Sequence, residues 1–160
     1  CIRDRCDNKS LRLVLVGDGK EKDNLMNLAG QLGISDRVEF RGFLSGQALR
    51  ECYKTAGAFV LPTREDCFGL VLIEAMCAGL PIIVSQYSDG AAETVTEDVN
   101  GYIVDPYDTA QFTQAIDRTF TDEQTRKRLG TAGCEATEKF RFENVAAGYL
   151  EAIEDALSRR

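Results

Sequence analysis

The 160 residues of this chain include no histidine, and several kinds of chemistry are excluded with it. A Ser-His-Asp triad, a histidine general base and a histidine-ligated metal cannot be built from these residues. The six cysteines contain no Cys-x-x-Cys pair, which indicates reduced cytosolic thiols rather than a zinc site or a disulfide framework. No Asp-x-Asp sequence is present either, so the usual carboxylate clamp for a metal-bound nucleotide is missing. We therefore expect a site without a metal ion and without a cofactor.

The chain also lacks an excess of basic residues and any long apolar segment. With 19 basic and 26 acidic residues its net charge is -7, which argues against binding nucleic acid through bulk electrostatics but allows a local phosphate site. No apolar run is long enough to span a bilayer, and no signal peptide opens the chain. The predicted location is the cytoplasm, and any contact with the inner face of a membrane should be peripheral.

Length and composition indicate a single globular domain. At 160 residues and 44% hydrophobic content, the chain is long enough to bury a substantial core. It begins with Cys1 in a polar segment, so we expect residues 1–160 to be one domain of a longer protein, with residues 1–10 as a poorly defined tail.

Short apolar segments alternate with helical ones along much of the chain. Strands are predicted over residues 11–16, 38–41, 58–61, 81–84 and 102–104. The alternation predicts an α/β fold with an open parallel sheet that helices cover on both faces. In such a sheet a ligand lies beyond the carboxyl ends of the strands, where the loops containing Gly17, Phe43, Asp66 and Gly90 should converge.

A glycine pair follows the first predicted strand. In Gly17-Asp18-Gly19 the backbone could approach a phosphate, but Lys22 stands where the dinucleotide-binding fingerprint has its third glycine. A tight turn between strand and helix explains these residues equally well, so both interpretations stay open here.

The most informative stretch is 61–81. After a strand and a polar loop, a run of helix-forming residues stops at Gly79, just before Pro81. This helix is apolar nearly all round, which predicts packing on both sides, yet Glu74 lies in its middle. Asp66 lies in the loop at the mouth of the helix, about 9 Å from Glu74 along the axis.

Two interpretations of these acids compete. Asp66 could be a helix cap and Glu74 an ordinary acid at a wetted edge. A carboxylate inside an apolar helix is costly unless something compensates it, and this favours a ligand-binding site. A ligand over the helix N-terminus could then meet both Asp66 and Glu74.

Four motifs in order resemble a known family. They are Val-Gly-Asp-Gly from residue 16, Val-Glu-Phe-Arg-Gly-Phe from residue 38, Pro-Thr-Arg-Glu-Asp-Cys-Phe-Gly-Leu-Val-Leu-Ile-Glu-Ala-Met-Cys-Ala-Gly-Leu-Pro from residue 62, and Asn-Gly-Tyr-Ile-Val from residue 100. Together they resemble the C-terminal, donor-binding domain of retaining glycosyltransferases of the GT-B fold, the group 1 or glycogen-synthase-like type. The resemblance covers about residues 11–155 and implies a Rossmann-like half of a two-domain enzyme.

The resemblance implies an activity and a set of site residues. The full-length enzyme would transfer a sugar from a nucleotide-diphospho sugar to an acceptor with retention of configuration, and the 160-residue piece alone would be inactive. Asp66, at the donor sugar, and Glu74, at the ribose hydroxyls, would be the catalytic-site acids. Gly17 would lie near the pyrophosphate and Phe43 near the base. The implied donor-binding residues are Gly17, Phe43, Cys67, Phe68, Gly69, Leu70 and Glu74.

The sequence departs from the family pattern in three ways. The family usually has Glu where Asp66 falls, and Glu65 is one residue out of register. The family's first strand of this domain, with the Arg and Lys that neutralise the diphosphate, has no counterpart in residues 1–10. The N-terminal acceptor domain, with the family's catalytic histidine, is missing, and it is the expected partner.

The base, sugar, acceptor and oligomeric state stay open. The alternatives are a sugar-nucleotide epimerase of similar fold and a non-catalytic, flavodoxin-like binding module.

Overall fold

The computed structural model describes residues 11–159, so the predicted tail lies outside the described residues. Its first half contains β1 (Leu13–Val16), α1 (Lys22–Gln31), a 3-10 turn (Ser35–Arg37), β2 (Val38–Gly42), α2 (Gly46–Thr55), β3 (Phe59–Leu61) and α3 (Leu70–Cys77). Its second half contains β4 (Ile82–Ser85), α4 (Ala91–Thr94), β5 (Gly101–Val104), α5 (Thr109–Thr119), α6 (Glu123–Ala136), a 3-10 turn (Thr137–Phe140) and α7 (Phe142–Ser158).

All five strands are parallel to their neighbours. β1 pairs with β2 from Leu13 opposite Val38, and β3, β4 and β5 form a second sheet with β4 in its centre. This confirms the predicted parallel α/β class. It differs from a continuous sheet because, within residues 11–159, the ladder is interrupted between β1 and β3, so each of these strands is hydrogen-bonded on one edge.

The core lies on the two faces of β4. Ile82 and Val84 pack with the buried side of α3, while Ile83 packs with β5, α5 and α6. Successive side chains of a strand point to opposite faces, and all four residues of β4 are buried. The apolar sequence of β4 is therefore explained by helices that cover both faces of the strand.

The first half of the chain is less buried than its periodicity predicts. On α1, Leu25 and Leu28 are exposed and Ala29 alone is buried. On α2, Leu49, Cys52 and Tyr53 have the spacing of a buried helix face but are only half-buried. The reason is that residues 11–159 supply no full second layer for this half, so its amphipathic helices keep part of their apolar faces open.

The N-cap residues of α2 and α5 differ in their hydrogen bonds, and this gives a first test. Asp108 accepts hydrogen bonds from the amides of Ala110 and Gln111 at 2.9 and 3.1 Å, whereas Ser45, at the cap of α2, makes none with its side chain. We expect Asp108→Ala to lower the free energy of unfolding by about 1 kcal/mol and Ser45→Ala to leave it nearly unchanged. Urea unfolding of the two variants measures the difference, and equal losses would contradict the assigned caps.

Candidate functional site

The loops that follow β3 and β4 are joined by hydrogen bonds at Asp66. Ser88 Oγ donates a hydrogen bond to Asp66 Oδ2 at 2.9 Å, and the Asp89 amide donates to the Asp66 carbonyl at 3.0 Å. Ser88 is 2% exposed, so the donor to this carboxylate is itself fixed in the core. The geometry holds Asp66 at the mouth of α3 with a defined orientation.

Two glycines make this junction possible. A Cβ on Gly90 would lie 1.8 Å from the Phe68 carbonyl oxygen, so the two loops meet backbone to backbone. Gly69, with a φ of 69°, is the N-cap of α3, and a Cβ there would lie 2.7 Å from Asp66 Oδ2. Since φ in this region strains any other residue, a side chain at position 69 would meet both strain and a clash.

The N-terminus of α3 is not capped by a side chain. Gly69 offers none, and the carboxylate of Asp66 is bonded to Ser88, so the interpretation of Asp66 as a simple helix cap is wrong. The first amides of a helix have no intrahelical acceptor, and the helix dipole gives this end a partial positive charge. Leu70, the first residue of α3, is 67% exposed, so this end of the helix is suited to an anionic ligand.

Glu74 lies on the open face of α3. Its side chain is exposed and accepts a hydrogen bond from the Tyr53 hydroxyl at 3.1 Å. The prediction that α3 is packed on both sides is wrong: Leu72, Ala75 and Met76 are buried, whereas Leu70, Glu74 and Cys77 are exposed. Glu74 thus needs no compensation for burial, and it is accessible to a ligand.

A groove of about 590 Å³ separates α2 from α3, and we call it the α2–α3 groove. Its lining residues are Gly46, Leu49, Arg50, Tyr53, Lys54, Ile73, Glu74, Cys77 and Ala78. Burial, together with the hydrogen bond to Glu74, raises the pKa of Tyr53 to about 12, so the hydroxyl stays protonated at neutral pH. The wall is mostly apolar, with the basic side chains of Arg50 and of Lys54, which is paired with Glu51 at 2.9 Å.

The other predicted donor-binding residues lie in loops after strands of both sheets, Gly17 and Phe43 after β1 and β2, and Cys67 and Phe68 after β3. The amide of Gly17, at a φ of 128°, donates to the Gly42 carbonyl at 2.7 Å, which brings the ends of β1 and β2 together. Phe43 follows directly and is 78% exposed. Cys67 is exposed at the α3 mouth, whereas the Phe68 ring is half-buried, edge-on to Phe140.

Sequence reasoning missed two residues of the site. They are Tyr53, which lies at helical spacing with Leu49 and Cys52, and Ser88, which lies in the loop before Gly90. Each acts on an acid more than twenty residues away, and no local pattern reports such a contact. The sequence feature that comes closest to indicating Tyr53 is its position in the last turn of α2, one strand before the loop that contains Asp66.

Other candidate features are limited. A cavity of about 100 Å³ between β5 and α5 contains none of the predicted site residues. Within residues 11–159 no group of three or more His, Cys, Asp or Glu side chains could hold a metal ion, and the absence of a metal requirement stays a prediction. The same residues include no helix with the length and apolar character of a membrane span.

Fold and site together define a parallel α/β domain in which Glu74 lines the α2–α3 groove and Asp66 is held at the uncapped N-terminus of the same helix, α3. The family described as "Glycosyl transferases group 1" matches residues 2–136, and the chain belongs to this family. The resemblance seen in its motifs is confirmed.

Individual relatives agree with the family. The chain is 34% identical over 141 residues to an uncharacterized glycosyltransferase of Methanocaldococcus jannaschii, covering 88% of this chain and 36% of the relative. It is 32% identical over 155 residues to the D-inositol 3-phosphate glycosyltransferase of Stackebrandtia nassauensis, covering 94% and 35%. The chain thus spans about a third of the length of these relatives.

Solved structures show the same fold. Sucrose-phosphate synthase from Thermosynechococcus elongatus superposes with a TM-score of 0.79 at 30% identity, over 93% of this chain and 39% of that one. Anabaena HepE, solved in complex with UDP, gives a TM-score of 0.81 at 24% identity, over 94% and 42%. The fold confirms the expected GT-B half. The epimerase and the flavodoxin-like module receive no support from these matches.

Proposed function

We propose that this chain binds a nucleotide-diphospho sugar and is the donor-binding part of a glycosyltransferase that retains the configuration of the transferred sugar. The observation that carries the proposal is the accessible carboxylate of Glu74 in the α2–α3 groove, one turn from the open N-terminus of α3. Glu74 follows Leu70 by four residues, about 6 Å along the helix. That separation suits a ribose at the acid and a phosphate at the helix end.

Each part of the donor then has a candidate partner. The carboxylate of Glu74 accepts hydrogen bonds from the ribose hydroxyls. The amides of Phe68, Gly69 and Leu70, at the start of α3, receive the diphosphate. As the bond to the sugar breaks, negative charge grows on the diphosphate, and the helix dipole stabilises it without a metal ion.

Asp66 is proposed to position the sugar. Its carboxylate is oriented by Ser88, and its main chain is bonded to Asp89. An acid held in this way suits hydrogen bonding to sugar hydroxyls better than nucleophilic attack, which requires a free oxygen aimed at the anomeric carbon. Gly17 and Phe43, at the ends of β1 and β2, are proposed to face the pyrophosphate and the base.

We further propose that the partner of this chain is an acceptor-binding domain of the same protein. Apolar side chains on one side of α7 are exposed, and they are Phe142, Val145, Tyr149, Leu150, Ile153 and Leu157. Apart from the neighbours Tyr149 and Leu150, they are spaced three to four residues apart, which makes a continuous stripe along the helix. Such a stripe is typical of a surface that another domain covers.

The proposal is tested by separating binding from transfer. In the full-length protein, at a concentration near 100 times the dissociation constant, one of UDP, GDP, ADP or their glucose conjugates should stabilise the fold by about 2.7 kcal/mol, seen as a higher melting temperature. The 160-residue chain should transfer no sugar, because the acceptor is proposed to bind in the other domain. If none of these compounds shifts the full-length protein, donor binding is refuted, and turnover by the isolated chain would refute the need for a second domain.

A further inference from the structure

Tyr53 reaches across the α2–α3 groove to the acid on its other side. Tyr53 lies in the last turn of α2, and Glu74 lies in the middle of α3, 21 residues later. The phenol oxygen is 3.1 Å from Glu74 Oε2, and both side chains line the groove. The contact therefore joins the two helices at the place proposed for the ribose.

The two partners differ in how firmly they are held. The Tyr53 ring is half-buried, packs on the core cluster around Leu72 and lies 6.0 Å from the Phe59 ring, centroid to centroid. Glu74 is exposed on a helix surface and has three rotatable side-chain bonds. Because Tyr53 is packed in place and Glu74 is not, the hydrogen bond orients the Glu74 carboxylate rather than the Tyr53 hydroxyl.

The protonation state of Tyr53 suits that role. Burial and the neighbouring carboxylate raise its pKa to about 12, so its hydroxyl remains a donor across the pH range of ordinary assays. The Tyr53 hydroxyl occupies one acceptor site on Glu74 Oε2, and an ionised carboxylate has about four such sites on its two oxygens. The remaining sites are enough to accept the two hydrogen bonds that a vicinal diol donates.

We propose that Tyr53 is a positioning residue that fixes the Glu74 carboxylate in the orientation that receives the two ribose hydroxyls. The inference rests on the proposed function, since it assumes that a ribose lies at Glu74. Its physical basis is pre-organisation: a carboxylate already held in one rotamer loses less freedom when the nucleotide binds. Tyr53 itself need not touch the nucleotide.

The chain contains a matched control for the loss of one phenol hydroxyl. Tyr102, on β5, donates to Asp98 Oδ1 at 2.9 Å, in a cluster with Arg118 and Arg128 that lines no part of the α2–α3 groove. Tyr102→Phe therefore removes the same kind of bond, from phenol to carboxylate, at a site unrelated to the nucleotide.

The experiment is a binding cycle on the full-length protein. The probes are the nucleoside diphosphate, among UDP, GDP and ADP, that raises the melting temperature most, and its 2′,3′-dideoxy form. We expect the wild type to bind the ribonucleotide at least tenfold more tightly than the dideoxy form. Tyr53→Phe should bind the ribonucleotide three- to tenfold more weakly than the wild type does, with an unchanged affinity for the dideoxy form. Tyr102→Phe should bind both probes as tightly as the wild type does. In donor kinetics, Tyr53→Phe should raise KM and leave kcat nearly unchanged.

The outcomes separate the two proposals. A wild type that binds both probes equally overturns the ribose role of Glu74 and this inference with it. A wild type that prefers the ribonucleotide, combined with a Tyr53→Phe variant of unchanged preference, overturns the role of Tyr53 alone. If Tyr53→Phe weakens the binding of both probes equally, the role of Tyr53 is also overturned, because a loss of affinity that does not depend on the ribose hydroxyls indicates a structural defect.

Discussion

Replacing Glu74 with alanine is expected to weaken binding of a nucleoside diphosphate by about 1 to 3 kcal/mol, roughly 5- to 150-fold. The carboxylate is exposed in the α2–α3 groove, and its hydrogen bonds to a ribose would be charge-assisted. Isothermal titration of the full-length protein with the nucleotide that stabilises it most measures the change. The melting temperature without nucleotide should hardly move, since no buried contact is lost.

The matched control is Glu151→Ala. Glu151 is also an exposed mid-helix glutamate, but it lies on α7 and does not line the groove. Its replacement should leave nucleotide affinity unchanged. If Glu74→Ala behaves in the same way, Glu74 is an ordinary surface acid and the ribose assignment is lost.

A Gly90→Ala substitution is expected to destabilise the fold by about 3 kcal/mol, the upper part of the range for overpacking. The added Cβ would lie 1.8 Å from the Phe68 carbonyl oxygen, and backbone cannot move aside as a flexible side chain can. For a chain of this size the melting temperature should fall by about 6 to 12 °C. Nucleotide affinity should fall as well, because the loop with Asp66 and the start of α3 must shift.

Gly19→Ala isolates the steric cause. A Cβ on Gly19 meets no described atom within 4 Å, and like Gly90 it lies outside the positive-φ region. Its melting temperature should match the wild type. Comparable melting curves for Gly19→Ala and Gly90→Ala would show that the loops after β3 and β4 do not meet as described.

Much of the fold could be predicted because its causes are local. The apolar run ending at Val84 predicts a strand buried on both faces, and β4 is such a strand. Asp108 is of a residue type that favours helix N-caps, and it caps α5. Ser45 shows the limit of local rules, since it occupies the cap position of α2 without making the side-chain bond. The interruption between β1 and β3 has no local signature either.

The sequence by itself determined the class of the fold, the order of its strands and helices, the family, and which acids to examine. These depend on residue spacing and backbone preference within a few neighbours. Only the tertiary structure decided that Glu74 is exposed in a groove, that Tyr53 reaches it, and that Ser88 orients Asp66. Each of these contacts joins residues from different elements, so its geometry depends on how helices and loops pack, which no periodicity in the chain encodes.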